Sequence, residues 1–291
     1  MVEAWVVLEG GVVIDGHDAD RPVPWWSFTK TVLAAAALVL VRDGLLPLDE
    51  SLPGRPYSLR HLLQHRSGLA NYGGLAEYHE AVSRNDDPWP VPTLLERVEA
   101  ERLRYRTGEG WDYSNIGYLF VRQLIETFTG SDLDSALHRL VLKPLGIQGP
   151  KIARERTDLD GIATGGAQAY HPGWVYHGLM VGSVLHAALL LERLLDGDLL
   201  PPGLLDEMTS PFVLPGPVPG RAWTVPGYGL GVMMGETSFG RRVIGHTGGG
   251  PGSTIGVYRA MESGAVRTAS FFATSEDQAM TENRTFGLLS R

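Results

Sequence analysis

Residues 25–41, WWSFTKTVLAAAALVLV, consist of a short mixed segment followed by an apolar run of Ala, Leu and Val. The run is apolar on every face and is followed closely by Gly44, a pattern typical of a buried helix with a glycine just past its end. Its length of about ten residues is too short to cross a bilayer. The stretch therefore predicts a core helix, with Ser27 at its start and Lys30 one turn further along the same face.

Ser27 and Lys30 have the residue types and spacing of a nucleophile and its base. A serine hydroxyl is a weak nucleophile until a neighbouring group takes its proton. Desolvation and the helix dipole both disfavour the charged form of a lysine buried at a helix N-terminus, so its neutral amine can act as that base. The alternative is structural, with Ser27 capping the helix and Lys30 facing solvent. The pattern Ser-x-x-Lys is common, and alone it favours the structural alternative.

A second group of polar side chains, Tyr113-Ser114-Asn115, stands directly before a predicted helix over residues 114–128. A tyrosine phenol held near cationic groups can act as a general acid or base. An asparagine beside it supplies a donor and an acceptor for a substrate amide. The structural alternative is a core tyrosine followed by a helix-capping asparagine.

A third motif, His246-Thr247-Gly248-Gly249-Gly250, follows an apolar strand predicted over residues 241–245. Glycines at the end of a strand let a substrate lie against the strand edge, and they leave N–H groups free to face an oxyanion. The structural alternative is a flexible turn with an incidental histidine.

Strands are predicted near both ends of the chain and helices between them. The predicted strands span residues 4–8, 12–15, 228–234, 241–245, 253–260 and 265–273, with a turn at 262–264. The predicted helices span residues 58–65, 92–102, 114–128, 131–143 and 183–195, with a short one after Pro202 and a C-terminal one opened by a capping box at Ser275. Residues 70–91 and 211–226 are predicted to be loops, the second with five prolines.

This order of elements predicts an α+β fold in which the N-terminal strand pair joins the C-terminal strands in one antiparallel sheet of about five strands flanked by helices. We expect a single catalytic unit over residues 1–291. Residues 1–49 and 161–291 would form an α/β lobe and residues 50–160 a mainly helical lobe. A cleft between two lobes is where a small-molecule site is expected.

The composition, with 43% hydrophobic and 20% charged residues, is that of an ordinary globular protein. The net charge of −8 is spread along the chain without a basic stripe, which argues against nucleic acid or an anionic membrane as a partner. The absence of cysteine excludes thiol catalysis, disulfides and thiolate metal sites. The N-terminal residues lack the basic and apolar regions of a signal peptide, so a cytoplasmic location is expected.

The order Ser-x-x-Lys, Tyr-x-Asn, His-Thr-Gly makes the chain resemble the serine β-lactamase and penicillin-binding-protein superfamily. The Tyr-Ser-Asn form of the second motif is similar to that of the branch containing class C β-lactamases, D,D-peptidases and esterases. Residues 62–69, 144–147 and 227–231 are also similar to segments of that branch. The resemblance runs from residue 5 to residue 274 and implies a β-lactamase/transpeptidase-like fold.

The resemblance also implies roles for the motif residues. Ser27 would form an acyl-enzyme, and Lys30 and Tyr113 would share the proton transfers. Asn115 would hold Lys30 and the substrate amide. The backbone N–H groups of Ser27 and Gly249 would form the oxyanion hole. Which of Lys30 and Tyr113 takes the first proton stays open, because their titrations are expected to be coupled.

His246 is a departure from the superfamily pattern, because it stands where a lysine is usual, as in many esterase- and aminopeptidase-like relatives. A neutral histidine holds a substrate carboxylate less firmly than a permanent cation does. Small uncharged esters or amides are therefore expected to react faster than penicillins. Trp26, Thr247 and Gly248 are expected to line the substrate-binding site.

Other candidate residues have weaker signals. His61 and His65 stand four apart on a predicted helix, which is metal-ligand spacing, but no glutamate or third ligand accompanies them. We therefore expect no metal and no cofactor. One predicted loop contains four aromatic or imidazole side chains: Tyr170, His171, Trp174 and His177. These side chains either shape the substrate pocket or form a packed aromatic loop without a role in binding.

The sequence thus favours a serine hydrolase that forms an acyl-enzyme at Ser27 and acts on a small ester, an amide or D-amino peptide, or a β-lactam. The alternative from another class is a penicillin-binding sensor that is acylated but does not turn over. Retention of Tyr113 favours turnover, because deacylation needs a base and a positioned water. The expected partner is a small-molecule substrate, and the oligomeric state stays open.

Overall fold

A computed structural model describes residues 1–166, 169–260 and 266–290 of the 291-residue chain. Within these residues the strands are β1 (Glu3–Glu9), β2 (Val12–His17), β3 (Pro22–Pro24), β4 (Lys151–Ala153), β5 (Leu179–Ser183), β6 (Phe212–Val213), β7 (Trp223–Tyr228), β8 (Met233–Thr237), β9 (Arg242–Gly250), β10 (Ser253–Ala260) and β11 (Arg267–Ala273). The α-helices are α1 (Thr29–Arg42), α2 (Leu59–Leu63), α3 (Ala76–Ser83), α4 (Val91–Arg97), α5 (Asn115–Thr129), α6 (Leu133–Leu137), α7 (Val184–Leu195), α8 (Pro202–Met208) and α9 (Gln278–Leu289). Across the described ranges, no helix has the length and apolar character needed to span a bilayer.

The main sheet is antiparallel, with the strand order β2-β1-β11-β10-β9-β8-β7-β6. The predicted union of the two chain ends is confirmed, because β1 pairs with β11 and places Trp5 opposite Phe271. The fold class is confirmed as well. The predicted strand number of about five is too small, since the described part of the chain contributes eight strands to this sheet. A smaller sheet, β3-β5-β4, lies beside the segment that carries Ser27.

The two faces of the main sheet carry different cores, because successive side chains of a strand point to opposite faces. Val6 and Val257 belong to the large core that also contains α1 and α7. Their chain neighbours Val7 and Tyr258 belong to a second core. Phe286, on α9, is part of that second core. The C-terminal helix therefore covers one face of the sheet, and α7 covers the other.

Helix α1 lies at the centre of the molecule, as the sequence predicts. Every residue from Thr29 to Leu40 is buried, including Lys30. A 3-10 turn at Trp26–Phe28 precedes the helix and carries Ser27. Helix α5, capped by Ser114, packs against α1, and this packing brings the first and second motifs together.

Several predicted elements differ in detail from those observed. The region 70–91, predicted as a loop, contains α3, a short helix whose start has no side-chain cap. The helix predicted over 92–102 is α4, which ends at Arg97. The helix predicted over 131–143 begins as α6 and continues as a π-helical turn, His138–Leu142. Helix α9 is capped by Asp277 rather than Ser275.

Errors in the predicted strands concern the C-terminal half of the sheet. The strand predicted over 228–234 is divided between β7 and β8, with Gly231 in the intervening turn at a φ of 80°. The loop predicted over 211–226 contains β6 and the start of β7. The predicted turn at 262–264 lies outside the described residues.

Candidate active site

A cavity of about 740 Å³ contains the predicted nucleophile, and several aromatic side chains form part of its wall. Its lining includes all three motifs, at Ser27, Tyr113, Asn115 and His246. The aromatic wall includes Trp26, Tyr72, Tyr78, Trp111, Tyr170 and Tyr228. A cavity of this size and character fits a small organic substrate.

The residue before Ser27 has an unusual backbone conformation. Trp26 has a φ of 44°, in the left-handed region that bulky residues rarely adopt. Its indole Nε1 donates to Ser253 Oγ at 3.1 Å. A methyl group on Gly250 would lie 2.4 Å from the same indole, so only glycine fits there. The neighbouring strands thus hold the strained turn that presents Ser27, as is common at functional sites.

Lys30 lies against Ser27 in a fully buried position. Its Nζ is 3.2 Å from Ser27 Oγ and donates to Asn115 Oδ1 at 2.7 Å. Burial lowers the pKa of Lys30 well below its ordinary value, because a desolvated ammonium is disfavoured. The side chain does not face solvent, so the structural alternative for Lys30 is wrong.

Asn115 is held in place from its other side. Its Nδ2 donates to Asn71 Oδ1 at 3.0 Å, and its backbone N–H donates to the same oxygen at 3.3 Å. This orientation leaves Asn115 Oδ1 free to accept from Lys30. Asn71 was not singled out in the sequence, because it lies in the region predicted as a loop.

Tyr113 faces both Ser27 and Lys30. Its ring centroid lies 4.9 Å from Lys30 Nζ. Burial raises the pKa of the Tyr113 phenol, and a hydrogen bond with the Ser27 side chain partly opposes that rise. The phenol is therefore protonated near neutral pH.

The third motif lies inside a strand rather than after one. Strand β9 continues through Gly250 and pairs with β10 along that length, whereas its pairing with β8 ends at Gly245. Within the residues that the structure describes, the His246–Gly250 segment thus has one edge without a neighbouring strand of the sheet. A methyl group on Gly248 would lie 2.9 Å from Ser27 N and 2.4 Å from Trp25 O, so glycine is needed for β9 to approach the Ser27 backbone.

Both ring nitrogens of His246 have protein partners. Nδ1 lies 2.7 Å from the Thr247 carbonyl oxygen, which can only accept, so Nδ1 carries the proton. Nε2 then accepts from Tyr228 Oη at 2.8 Å. Burial lowers the pKa of His246 to about 3, so the ring is neutral. Its one N–H is therefore not available to a substrate carboxylate.

A buried ion pair lies behind Thr247. The Thr247 hydroxyl donates to Glu282 at 2.6 Å, and Trp223 Nε1 donates to the same carboxylate at 3.0 Å. Arg221 forms a two-point ion pair with Glu282, whose side chain is 0% exposed. Sequence reasoning missed this network, because its members lie in the proline-rich segment, β7 and α9.

In the loop that carries Tyr170, His171, Trp174 and His177, some side chains line the cavity and others pack against the protein interior. Tyr170 and His177 line the cavity, and His177 Nε2 lies 3.2 Å from Lys30 Nζ. Trp174 is instead buried and contacts Trp89. His171 caps the turn Pro172–Trp174.

His61 and His65 have separate structural surroundings. His61 forms a capping box with Ser58 at the start of α2. His65 is buried, accepts from the Ser114 N–H at 3.1 Å and packs 4.3 Å from the Tyr113 ring. Within the described part of the chain, no group of three or more acidic or histidine side chains is arranged to hold a metal ion.

Comparison with known proteins places this geometry in a family context. The model of the Beta-lactamase family matches residues 2–288. A penicillin-binding protein of Bacillus subtilis (strain 168) is 28% identical over 162 residues, which are 52% of this chain and 34% of that protein. The lovastatin esterase of Penicillium rubens is 27% identical over 150 residues, or 42% of this chain and 37% of that protein.

A solved structure of similar fold is the D-amino acid amidase from Ochrobactrum anthropi SV3 in complex with L-phenylalanine. It superposes with a TM-score of 0.82 at 21% sequence identity, and the superposition covers 99% of this chain and 93% of the amidase chain. At that identity the likeness shows the fold alone. The matches to the two curated relatives span little more than a third of those proteins' length.

Proposed function

The chain belongs to the Beta-lactamase family, and from this we propose that it is a serine hydrolase that forms an acyl-enzyme at Ser27. The observation that carries the proposal is the 3.2 Å approach of the buried Lys30 Nζ to Ser27 Oγ, which lies in the lining of the cavity. A desolvated amine beside a serine hydroxyl is an arrangement that activates the nucleophile.

In the proposed acylation step, the Ser27 hydroxyl proton moves to the Lys30 amine as Ser27 Oγ attacks the substrate carbonyl. The N–H groups of Ser27 and Gly249 would stabilise the negative oxygen of the tetrahedral intermediate. Tyr113, protonated at the start, would give its proton to the leaving alcohol or amine and recover one from Lys30. Water would then hydrolyse the acyl-enzyme by the reverse sequence.

The first test is covalent labelling. A fluorophosphonate probe is expected to modify the peptide that contains Ser27, as read by mass spectrometry, because the activated hydroxyl attacks phosphorus as it would a carbonyl. Ser27→Ala should abolish labelling, and the exposed control Ser238→Ala should label like the unmodified protein. Unchanged labelling of Ser27→Ala would exclude the proposed mechanism.

The substrate class we propose is a small ester or amide without a carboxylate next to the reacting carbonyl. The only N–H of neutral His246 donates to a backbone carbonyl, and the Thr247 hydroxyl donates to Glu282. The guanidinium of Arg221 is paired with the same glutamate. On this wall of the cavity, the His246 N–H, the Thr247 hydroxyl and the Arg221 guanidinium already have protein partners. None of these three groups is therefore free to bind a substrate carboxylate. The names of the esterase and the D-amino acid amidase supply the substrates to test.

Rates on neutral and carboxylate-bearing substrates test this selectivity. We expect p-nitrophenyl acetate and D-amino acid amides to be hydrolysed faster than nitrocefin, and His246→Lys to shift the ratio of kcat/KM towards nitrocefin. Efficient nitrocefin turnover by the unmodified protein, constant from pH 6 to pH 8, would contradict the assignment. A p-nitrophenyl acetate burst without steady turnover would instead indicate an acylated binding protein.

A further inference from the structure

His177 is a third polar neighbour of the Lys30 amine. It lies in the segment just before β5, is 2% exposed, and places Nε2 3.2 Å from Lys30 Nζ. The other two neighbours are Asn115 Oδ1 and Ser27 Oγ. Three neighbours are as many as a lysine side-chain nitrogen can engage in addition to its own carbon.

Counting hydrogens assigns each of these contacts a direction. A neutral amine has two N–H donors and one lone pair. Asn115 Oδ1 can only accept, so it takes one N–H. If His177 Nε2 accepts the second, the lone pair is left directed at Ser27 Oγ, where a general base needs it. Without an acceptor at His177, the second N–H and the lone pair can exchange places.

The surroundings of the imidazole fit an acceptor at Nε2. An imidazole that accepts at Nε2 while neutral carries its proton on Nδ1. Burial lowers the pKa of His177 well below its ordinary value, which keeps the ring neutral. Among the described residues no group donates a hydrogen bond to the buried Nδ1, so no protein donor there holds the proton on Nε2. A backbone hydrogen bond with Trp26 raises the pKa of His177 and opposes part of the effect of burial.

We propose that His177 is a positioning residue that accepts a hydrogen bond from Lys30 and so aims the lone pair of the amine at Ser27. This inference rests on the proposed function, because it presumes that Lys30 is the base for Ser27. It gives His177, for which the sequence predicts only pocket lining or packing, a part in positioning the base.

The contact also affects the protonation of Lys30. An acceptor interacts more strongly with an ammonium than with an amine, so removing it should lower the pKa of Lys30 further. Other titratable groups surround the pair, and those from packed elements are Tyr113, Tyr118, His65, His246 and Arg122. These groups are unchanged in a His177 variant, so a shift of the acid limb of the pH profile reports on His177 itself.

The experiment compares His177→Leu, which removes the acceptor, with His177→Gln, which supplies an oxygen near the position of Nε2. Lys30 becomes charged as it takes the Ser27 proton, and loss of one hydrogen bond to that ammonium predicts a decrease in kcat for p-nitrophenyl acetate of about 10- to 10²-fold in His177→Leu, with KM little changed. The acid limb of kcat/KM should move to lower pH. His177→Gln should recover most of both effects.

His138→Leu is a matched control, because His138 bonds a backbone carbonyl outside the cavity. It should leave rates and pH profile unchanged. Activity of His177→Leu within twofold of the unmodified protein, or equal losses in the Leu and Gln variants with an unmoved acid limb, would overturn the proposal. Absence of Ser27 labelling in the unmodified protein would instead overturn the proposed function.

A spectroscopic measurement keeps the proposal testable if His177→Leu does not fold. The ¹⁵N NMR signals of His177, assigned by their loss in His177→Gln, should show a neutral ring with the proton on Nδ1 at pH 7. A ring protonated at Nε2 would rule out the proposed acceptor.

Discussion

Lys30→Met is expected to lower kcat for a neutral ester by about 10²- to 10⁴-fold, the range of a general base contribution. Methionine has nearly the same length and is apolar, so it suits a position that is 0% exposed. The fold should therefore survive while Ser27 loses the only amine near it among the described residues. The measurement is kcat from p-nitrophenyl acetate hydrolysis, with circular dichroism to confirm folding.

Tyr113→Phe tests whether the two proton-transfer groups act as one unit. Lys30 Nζ lies 4.9 Å from the centroid of the Tyr113 ring, and both side chains contact the Ser27 hydroxyl. We expect Tyr113→Phe to lower kcat by about 10² or more. The double variant should be little worse than the poorer single variant, because residues that act as a unit are not additive.

The exposed lysine at position 143 provides a control for loss of a positive charge, and Lys143→Met should retain full activity. If the effects of Lys30→Met and Tyr113→Phe add fully in log kcat, the two groups have independent roles. If Lys30→Met retains activity within tenfold, Lys30 is not the base.

The features that the sequence predicts well are those with a local physical signal. An apolar run closed by a glycine is sufficient to identify α1, because few other structures bury such a segment on every face. The cap at Ser114 and the left-handed Gly130 likewise mark both ends of α5. These two helices carry Lys30 and Asn115, so the hydrogen bond between the two side chains follows once the helices pack together.

The size of the sheet and the position of the third motif were harder to predict. Successive glycines at 248–250 read as a turn because glycine is rare in strand interiors. In the structure the same glycines are needed because Ser27, Trp25 and the Trp26 indole lie against β9. A close approach of backbone to backbone is a property of the folded chain, and no local pattern reports it.

The contact of His177 with Lys30 and the ion pair behind Thr247 have no local signal in the sequence. His177 is 147 residues from Lys30 in the chain, and Arg221 is 61 residues from Glu282. Arg221 follows a run of prolines and glycines that is typical of an exposed connection. Only the tertiary structure shows that its charge is directed inward, towards a carboxylate with 0% exposure.

Arg221→Met is expected to reduce the free energy of unfolding by about 3–5 kcal/mol, because removing one partner of a buried ion pair leaves the other charge uncompensated. The Arg221 side chain is 22% exposed and that of Glu282 is 0% exposed, so the remaining charge would be the less solvated of the two. Glu282 would keep the Thr247 and Trp223 donors, which places the expected loss near the lower end of the range. Urea unfolding at pH 7 measures the change.

A second arginine pair provides the matched control. Arg284, which lies on α9 as Glu282 does, pairs with Glu3 at the surface, where the side chains of Arg284 and Glu3 are 55% and 31% exposed. Arg284→Met should cost only about 0–1 kcal/mol, as is usual for a solvated pair. Arg221→Met combined with Glu282→Gln should recover part of the loss, because it removes the uncompensated charge. Equal costs for Arg221→Met and Arg284→Met would mean that water reaches Glu282, and its carboxylate would then be accessible from the substrate cavity.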